Sequence, residues 1–133
     1  MKKDLHIPEV QGVLMAACLE MATDTTEAGW YVYLINTNAY ALDHILLVSK
    51  GLDPSTGNQV SSLLRKHLPE LAAYSAARIE WLPEALLALD NVFQLSFFAD
   101  NTLYDAHYRW PAHSLTQPEL TWLPVLERSG VVG

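Results

Sequence analysis

Hydrophobic side chains recur at every second position along much of this chain, with polar residues between them. The alternation is clearest over residues 91–110, NVFQLSFFADNTLYDAHYRW. Phe93, Leu95 and Phe97 are separated there by Gln94 and Ser96. After Asp100-Asn101, Tyr104, Ala106 and Tyr108 alternate with Asp105 and His107. A period of two is that of a half-buried strand. Asp and Asn tolerate the positive backbone angles of a tight turn. The segment is therefore predicted to be a β-hairpin.

The same pattern marks further strands. Residues 13–21 are one, and residues 30–37, WYVYLINT, are rich in the aromatic and β-branched side chains that pleated surfaces favour. Residues 43–50 put Ile45, Leu47 and Ser49 on one face. Residues 74–82 put Ile79 and Trp81 on one face, with Arg78 and Glu80 on the other. Residues 120–126 make a last short extended piece before a Gly-containing tail. Residues 2–11 read as an extended lead-in, since Pro8 opposes helix. Segments 22–29, 36–41, 51–58 and 111–119 carry turn and loop chemistry. PEALLALD, residues 83–90, reads as one short helical turn opened by a proline. Residues 60–71 are open between strand and helix. Leu64, Leu68 and Leu71 fit a helical face, but Pro69 inside a helix would cost about 3 kcal/mol.

About six to eight short strands with turn-rich connections define an all-β fold, a single-domain antiparallel β-sandwich spanning residues 1–133 with one short helical turn. Parallel pairing would need crossovers that the loops are too short to supply. The expected core is Leu14, Ala16, Val32, Leu34, Ile45, Leu47, Ile79, Trp81, Phe93, Leu95, Phe97, Tyr104 and Tyr108. The choice of face is open in the first two strands.

Composition narrows the function classes. Half of the 133 residues are hydrophobic and 17% are charged, as in a packed globule. Eight Lys and Arg stand against fifteen Asp and Glu, a net charge of −7, which disfavours binding to a phosphate backbone. The single cysteine, Cys18, lies in an apolar run and reads as a buried thiol; with no internal disulfide available, a reducing cytoplasm is the expected setting. The opening MKKDLHIPEV lacks the apolar stretch of a signal peptide, and no run is long enough to span a bilayer, so no membrane is expected.

Little in the chain points to chemistry. His6, His44, His67, His107 and His113 show no zinc spacing, and neither GxGxxG nor a P-loop occurs. Asp105 and His107 share a strand face, the arrangement of a carboxylate that orients an imidazole. With Trp110 beside them they form the one ligand or surface site the sequence suggests, and its bland reading is a solvated hairpin face. No catalytic residue, metal ligand or cofactor is assigned.

Several pieces in order, MKKDLHIPEV, YVYLINTN, ILLVSKGLD, SSLLRKHL, FQLSFFADNTLYDAHYRW and LPVLERSGVVG, give the chain a family likeness. It resembles short bacterial proteins that carry the label phenylalanyl-tRNA synthetase alpha subunit or subunit-like. The resemblance runs through nearly the whole chain and favours strand over residues 60–68. It implies no activity. The Arg-containing and Gly-rich motifs of a class II synthetase are missing, and 133 residues cannot hold that catalytic domain. The expected function is a non-catalytic cytoplasmic protein-interaction module, possible as a homodimer, with an unknown protein partner. The alternatives are a small-ligand-binding or hydrolytic domain using Asp105 and His107, and an RNA- or tRNA-associated protein.

Overall fold

Alternation becomes pleated strand almost everywhere it occurs. The computed structural model describes residues 8–21, 28–61 and 63–133. Among them the chain forms β1 (Val13–Met21), β2 (Ala28–Asn36), β3 (Leu42–Leu52), β4 (Leu64–Leu71), β5 (Ser75–Leu82), β6 (Asp90–Ala99), β7 (Thr102–Trp110), β8 (Thr121–Leu123) and β9 (Arg128–Val132). They pair antiparallel in two sheets, ordered β5-β2-β1-β9-β8 and β4-β3-β6-β7. The predicted helical turn is a short 3-10 helix, Glu84–Ala88. Most of the lead-in (residues 1–7, with His6) and of the loop 22–29 (residues 22–27) lies outside the described residues.

The inner faces of the two sheets make the core. Val13, Met15, Ala17, Trp30, Val32 and Leu34 meet Ile45, Leu47, Phe93, Leu95, Phe97 and Trp110. A second apolar cluster lies on the far side of the first sheet. Ala16, Cys18, Tyr33 and Ile35 are covered there by Leu123, with Val125 and Leu126 packed against it. Gly130 permits this cover: a Cβ on it would lie 2.6 Å from Leu123 Cδ1 and 2.8 Å from the Ala17 carbonyl oxygen.

Polar ties hold the ends of the sandwich. At one end the buried Asn36 side chain donates to the carbonyls of Tyr40 (2.8 Å) and Ala72 (3.0 Å) and accepts from the Asn38 N–H (3.0 Å). One side chain thus fixes both the β2–β3 and the β4–β5 crossover. At the other end the Asp90 carboxylate accepts from Arg109 (2.7 Å) and from the Ala112 N–H (2.8 Å). Across the sandwich, the Tyr108 hydroxyl donates to the Val13 carbonyl (2.7 Å) and Trp110 Nε1 to that of Val131 (3.2 Å).

Several expectations are corrected. Among the described residues there are nine strands, where six to eight were expected. The tail read as a Gly-containing end is β9, which hydrogen-bonds to β1 through Ala16–Val132 and Ala17–Val131. Residues 51 and 52, read as loop, extend β3. Segment 60–71 resolves as strand from residue 64, with Pro69 tolerated because β4 is an edge strand. Leu14 and Ala16 pack in the second cluster rather than between the sheets. Trp81 also leaves the predicted core. A β-bulge lets Val32 pair with Glu80 and Tyr33 with Arg78, so Ile79 is the extra residue. The bulge reverses the alternation beyond it: Trp81 joins Arg78 on the outer side, and Glu80 turns toward the second sheet.

Two outcomes test these ties. Asn36→Ala strands buried carbonyls at both crossovers and is expected to lower stability by about 2–3 kcal/mol in urea unfolding. For Asp90, the Ala112 N–H, together with Arg109, holds the carboxyl below the usual carboxylate range. Its stabilisation is complete above the ordinary Asp value of about 4 and is lost as pH falls through the lower folded value. Asp90→Asn is expected to be less stable at pH 7 and to lose part of the acid limb of the stability–pH curve.

Candidate functional site

The register of the four-stranded sheet arranges its outer side chains in four rows. The first holds Glu70, Asp43, Phe98 and Leu103, and the second His67, Leu46, Ser96 and Asp105. The third holds Arg65, Val48, Gln94 and His107, and the fourth Lys50, Val92 and Arg109. The face is therefore polarised along the strands. Carboxylates occupy one half, Arg and Lys the other, and apolar side chains run through both. Leu46, Phe98 and Leu103 are 37–40% exposed, a cluster of large apolar side chains left open to solvent on this face. His44, at a positive φ of 48° where β3 bulges, sets its ring edge-on to Phe98 at 6.4 Å.

Asp105 and His107 do share this face, as the spacing predicts. Among the described residues no hydrogen bond joins them. His107 is exposed beside a cavity of about 300 Å³ among Val48, Leu63, Val92 and Gln94. Trp110 does not belong with them. Its strand parity is opposite, and it is buried edge-to-face against Phe93 with ring centroids 5.5 Å apart. Among the described residues no hydrogen bonds set an imidazole, a carboxylate and a nucleophile in line. Among the described residues no group of three or more His, Cys, Asp or Glu is placed to hold a metal ion, and no helix is long and apolar enough to cross a membrane.

A second charged cluster lies on the outer side of the five-stranded sheet. Glu20 of β1 accepts from the Tyr33 hydroxyl, from Arg78 (3.2 Å) and from Arg128 (3.0 Å). The Arg78 guanidinium also lies 4.1 Å over the Tyr31 ring, and Trp81 meets that ring edge-on at 4.8 Å. Trp81 lies flat over Gly29, where a Cβ would come within 1.9 Å of its ring. The cluster clamps β1, β2, β5 and β9 together; the acid is consumed by its partners. Cys18 lies beside it, fully buried, and burial pushes its thiol up, with the Arg128 charge opposing.

The bulge on β5 creates a third arrangement that strict alternation conceals. Glu80 turns inward, and its Oε1 accepts from the Ser49 hydroxyl of β3 at 3.0 Å. Among the described residues its second oxygen accepts no hydrogen bond. Burial pushes the carboxyl above the usual carboxylate range, opposed by the Ser49 hydroxyl and the Lys66 charge. Lys66 itself donates to the Ile79 carbonyl at 3.4 Å. Beside Glu80 a cleft of about 420 Å³ opens between the sheets, walled by Leu64, Leu82, Pro83 and Leu86.

Compared with known proteins, the chain matches no family model and no curated sequence.

The burial of Cys18 yields a direct test. A thiol-specific chromogenic reagent is expected to label it at least about a hundredfold more slowly in the folded chain than in denaturant, because the reactive thiolate is both disfavoured and covered. Equal rates would show that the β8–β9 cover does not shield it.

Proposed function

We propose that this chain is a non-catalytic protein-interaction module of the cytoplasm that pairs with a second copy of itself through the outer face of the four-stranded sheet. The observation that carries the reading is the polarity of that face. A two-fold axis lying in the face and running across the strands lays the first row over the partner's fourth row and the second over its third. Asp43 then opposes Lys50 and Asp105 opposes His107, while Arg65 lies over His67, one row from Glu70. Leu46 meets Val48, and Phe98 and Leu103 cover Val92 with the stem of Arg109. Isologous pairing requires this kind of self-complementarity. Burying Leu46, Phe98 and Leu103 supplies the apolar contribution, and charge opposition sets the orientation.

The same arrangement argues against an RNA surface. The acidic half of the face and the net charge of −7 would repel a phosphate backbone. The hydrolytic reading gains no support from an Asp105–His107 pair that is not hydrogen-bonded and has no nucleophile in line.

Sedimentation of the purified chain is expected to show a dimer at micromolar concentration. Phe98→Asp should return it to monomer with the fold intact by circular dichroism. The double reversal Asp43→Lys with Glu70→Lys should weaken the dimer at least about tenfold, and adding Lys50→Glu with Arg65→Glu should restore it. A monomer at 100-fold higher concentration, about 100 μM, overturns the proposal, as does a dimer indifferent to these changes or salt-sensitive tRNA binding lost with Arg65→Glu.

A further inference from the structure

The cleft between the sheets opens beside the proposed pairing face and shares Lys50 with it. Its walls come from both sheets and from the 3-10 helix that joins β5 to β6. Its volume, about 420 Å³, is that of a site for a small molecule. Leu64, Leu82, Pro83 and Leu86 supply an apolar lining, and among the lining residues Glu80 is the one carboxylate and Lys50 the one ammonium. The strand that carries Glu80 bends to deliver it there: without the bulge its side chain would point to solvent beside Arg78. A carboxylate turned into an apolar cleft is costly unless its oxygens are satisfied. Ser49 satisfies one of them. The other accepts no hydrogen bond from a described residue; the Lys66 ammonium donates to the Ile79 carbonyl and acts on Glu80 through its charge.

We infer that this cleft binds a small molecule with an apolar body and a protonated primary amine, the ammonium lying on the free oxygen of Glu80 and the body among Leu64, Leu82 and Leu86. An ammonium is the group that adds both charge and hydrogen bonds to that oxygen. A neutral alcohol adds a hydrogen bond without the charge. A carboxylic acid brings a like charge to Glu80 and is disfavoured on that oxygen, although Lys50 also lines the cleft.

The test uses hexylamine, hexanol and hexanoate, which share one apolar body, titrated into the full chain and followed by amide NMR shifts. Hexylamine is expected to shift the amides of Ser49, Glu80, Leu82 and Leu86 in a saturable way, and hexanol and hexanoate each to bind at least about tenfold more weakly. Glu80→Gln keeps the shape and the Ser49 contact, so it should fold normally. It should bind hexylamine no better than hexanol. Leu64→Trp, which fills the cleft, should abolish binding of both while the remaining amide spectrum is preserved. Equal binding of hexylamine and hexanoate overturns the inference. So does unchanged hexylamine affinity in Glu80→Gln, shifts centred outside the cleft, or an absence of saturable binding by hexylamine. None of these readouts depends on whether the chain pairs, so a failed dimer experiment leaves them interpretable.

Discussion

One additional residue in β5 governs both sides of the five-stranded sheet. The bulge at Ile79 keeps Ile79 in the core and passes Glu80 through to the inner side. It also sends Trp81 outward, over Gly29 and against Tyr31. With regular alternation, Trp81 would fill the space between the sheets and Glu80 would be solvated. The cleft, its carboxylate and the aromatic support under Arg78 all follow from that single insertion. A bulge breaks the ladder locally, and here the Lys66 ammonium reaches the Ile79 carbonyl at the break.

The two long sides of the sandwich are consequently unlike. Along β7, Tyr108 and Trp110 reach across to backbone carbonyls of β1 and β9, so the bridging groups there are aromatic. Along β4 and β5 the bridging groups are Glu80, Ser49 and Lys66. Polar groups cannot close on one another as tightly as rings close on a core, because each must keep its hydrogen bonds. Asn36 at one end and Asp90 with Asn91 at the other set the length over which this asymmetry extends.

Much of the architecture was legible because a sandwich needs one buried face per strand, and alternation records it. Phe93, Leu95 and Phe97 are placed as read, and Asp100 and Asn101 do adopt positive φ at the hairpin turn. Alternation fails where the pleat is interrupted or where both faces are covered. The bulge at Ile79 leaves no mark in residue types, so Trp81 and Glu80 were placed on the wrong sides. β1 is apolar on both faces because Leu123 of β8 and the turn residues Val125 and Leu126 cover its outer one, so alternation does not say which face Leu14 and Ala16 take. β9 is short and carries Gly130, a residue that weakens a strand pattern and is required here by close backbone approach. For the candidate surfaces, the Asp105 and His107 pairing was visible at a spacing of two, and Trp110 beside them should have been rejected by parity. The polarity of the whole face was not visible, because its rows join residues from four strands that only register brings together. The Glu80 cleft was hidden for the same reason as the bulge that makes it.

Pro69 has a consequence beyond the shape of β4. A further strand added outside β4 would make it an interior strand with a proline in its ladder, which sheets do not accommodate. Growth of the sheet by edge addition, the route toward cross-β aggregates, is blocked on that side. Stacking through a sheet face has its own limit, because a two-fold pair uses both copies of the face and presents none to a third molecule. The proline therefore favours association that closes over association that propagates, and so bears on how concentrated this protein can become before it precipitates.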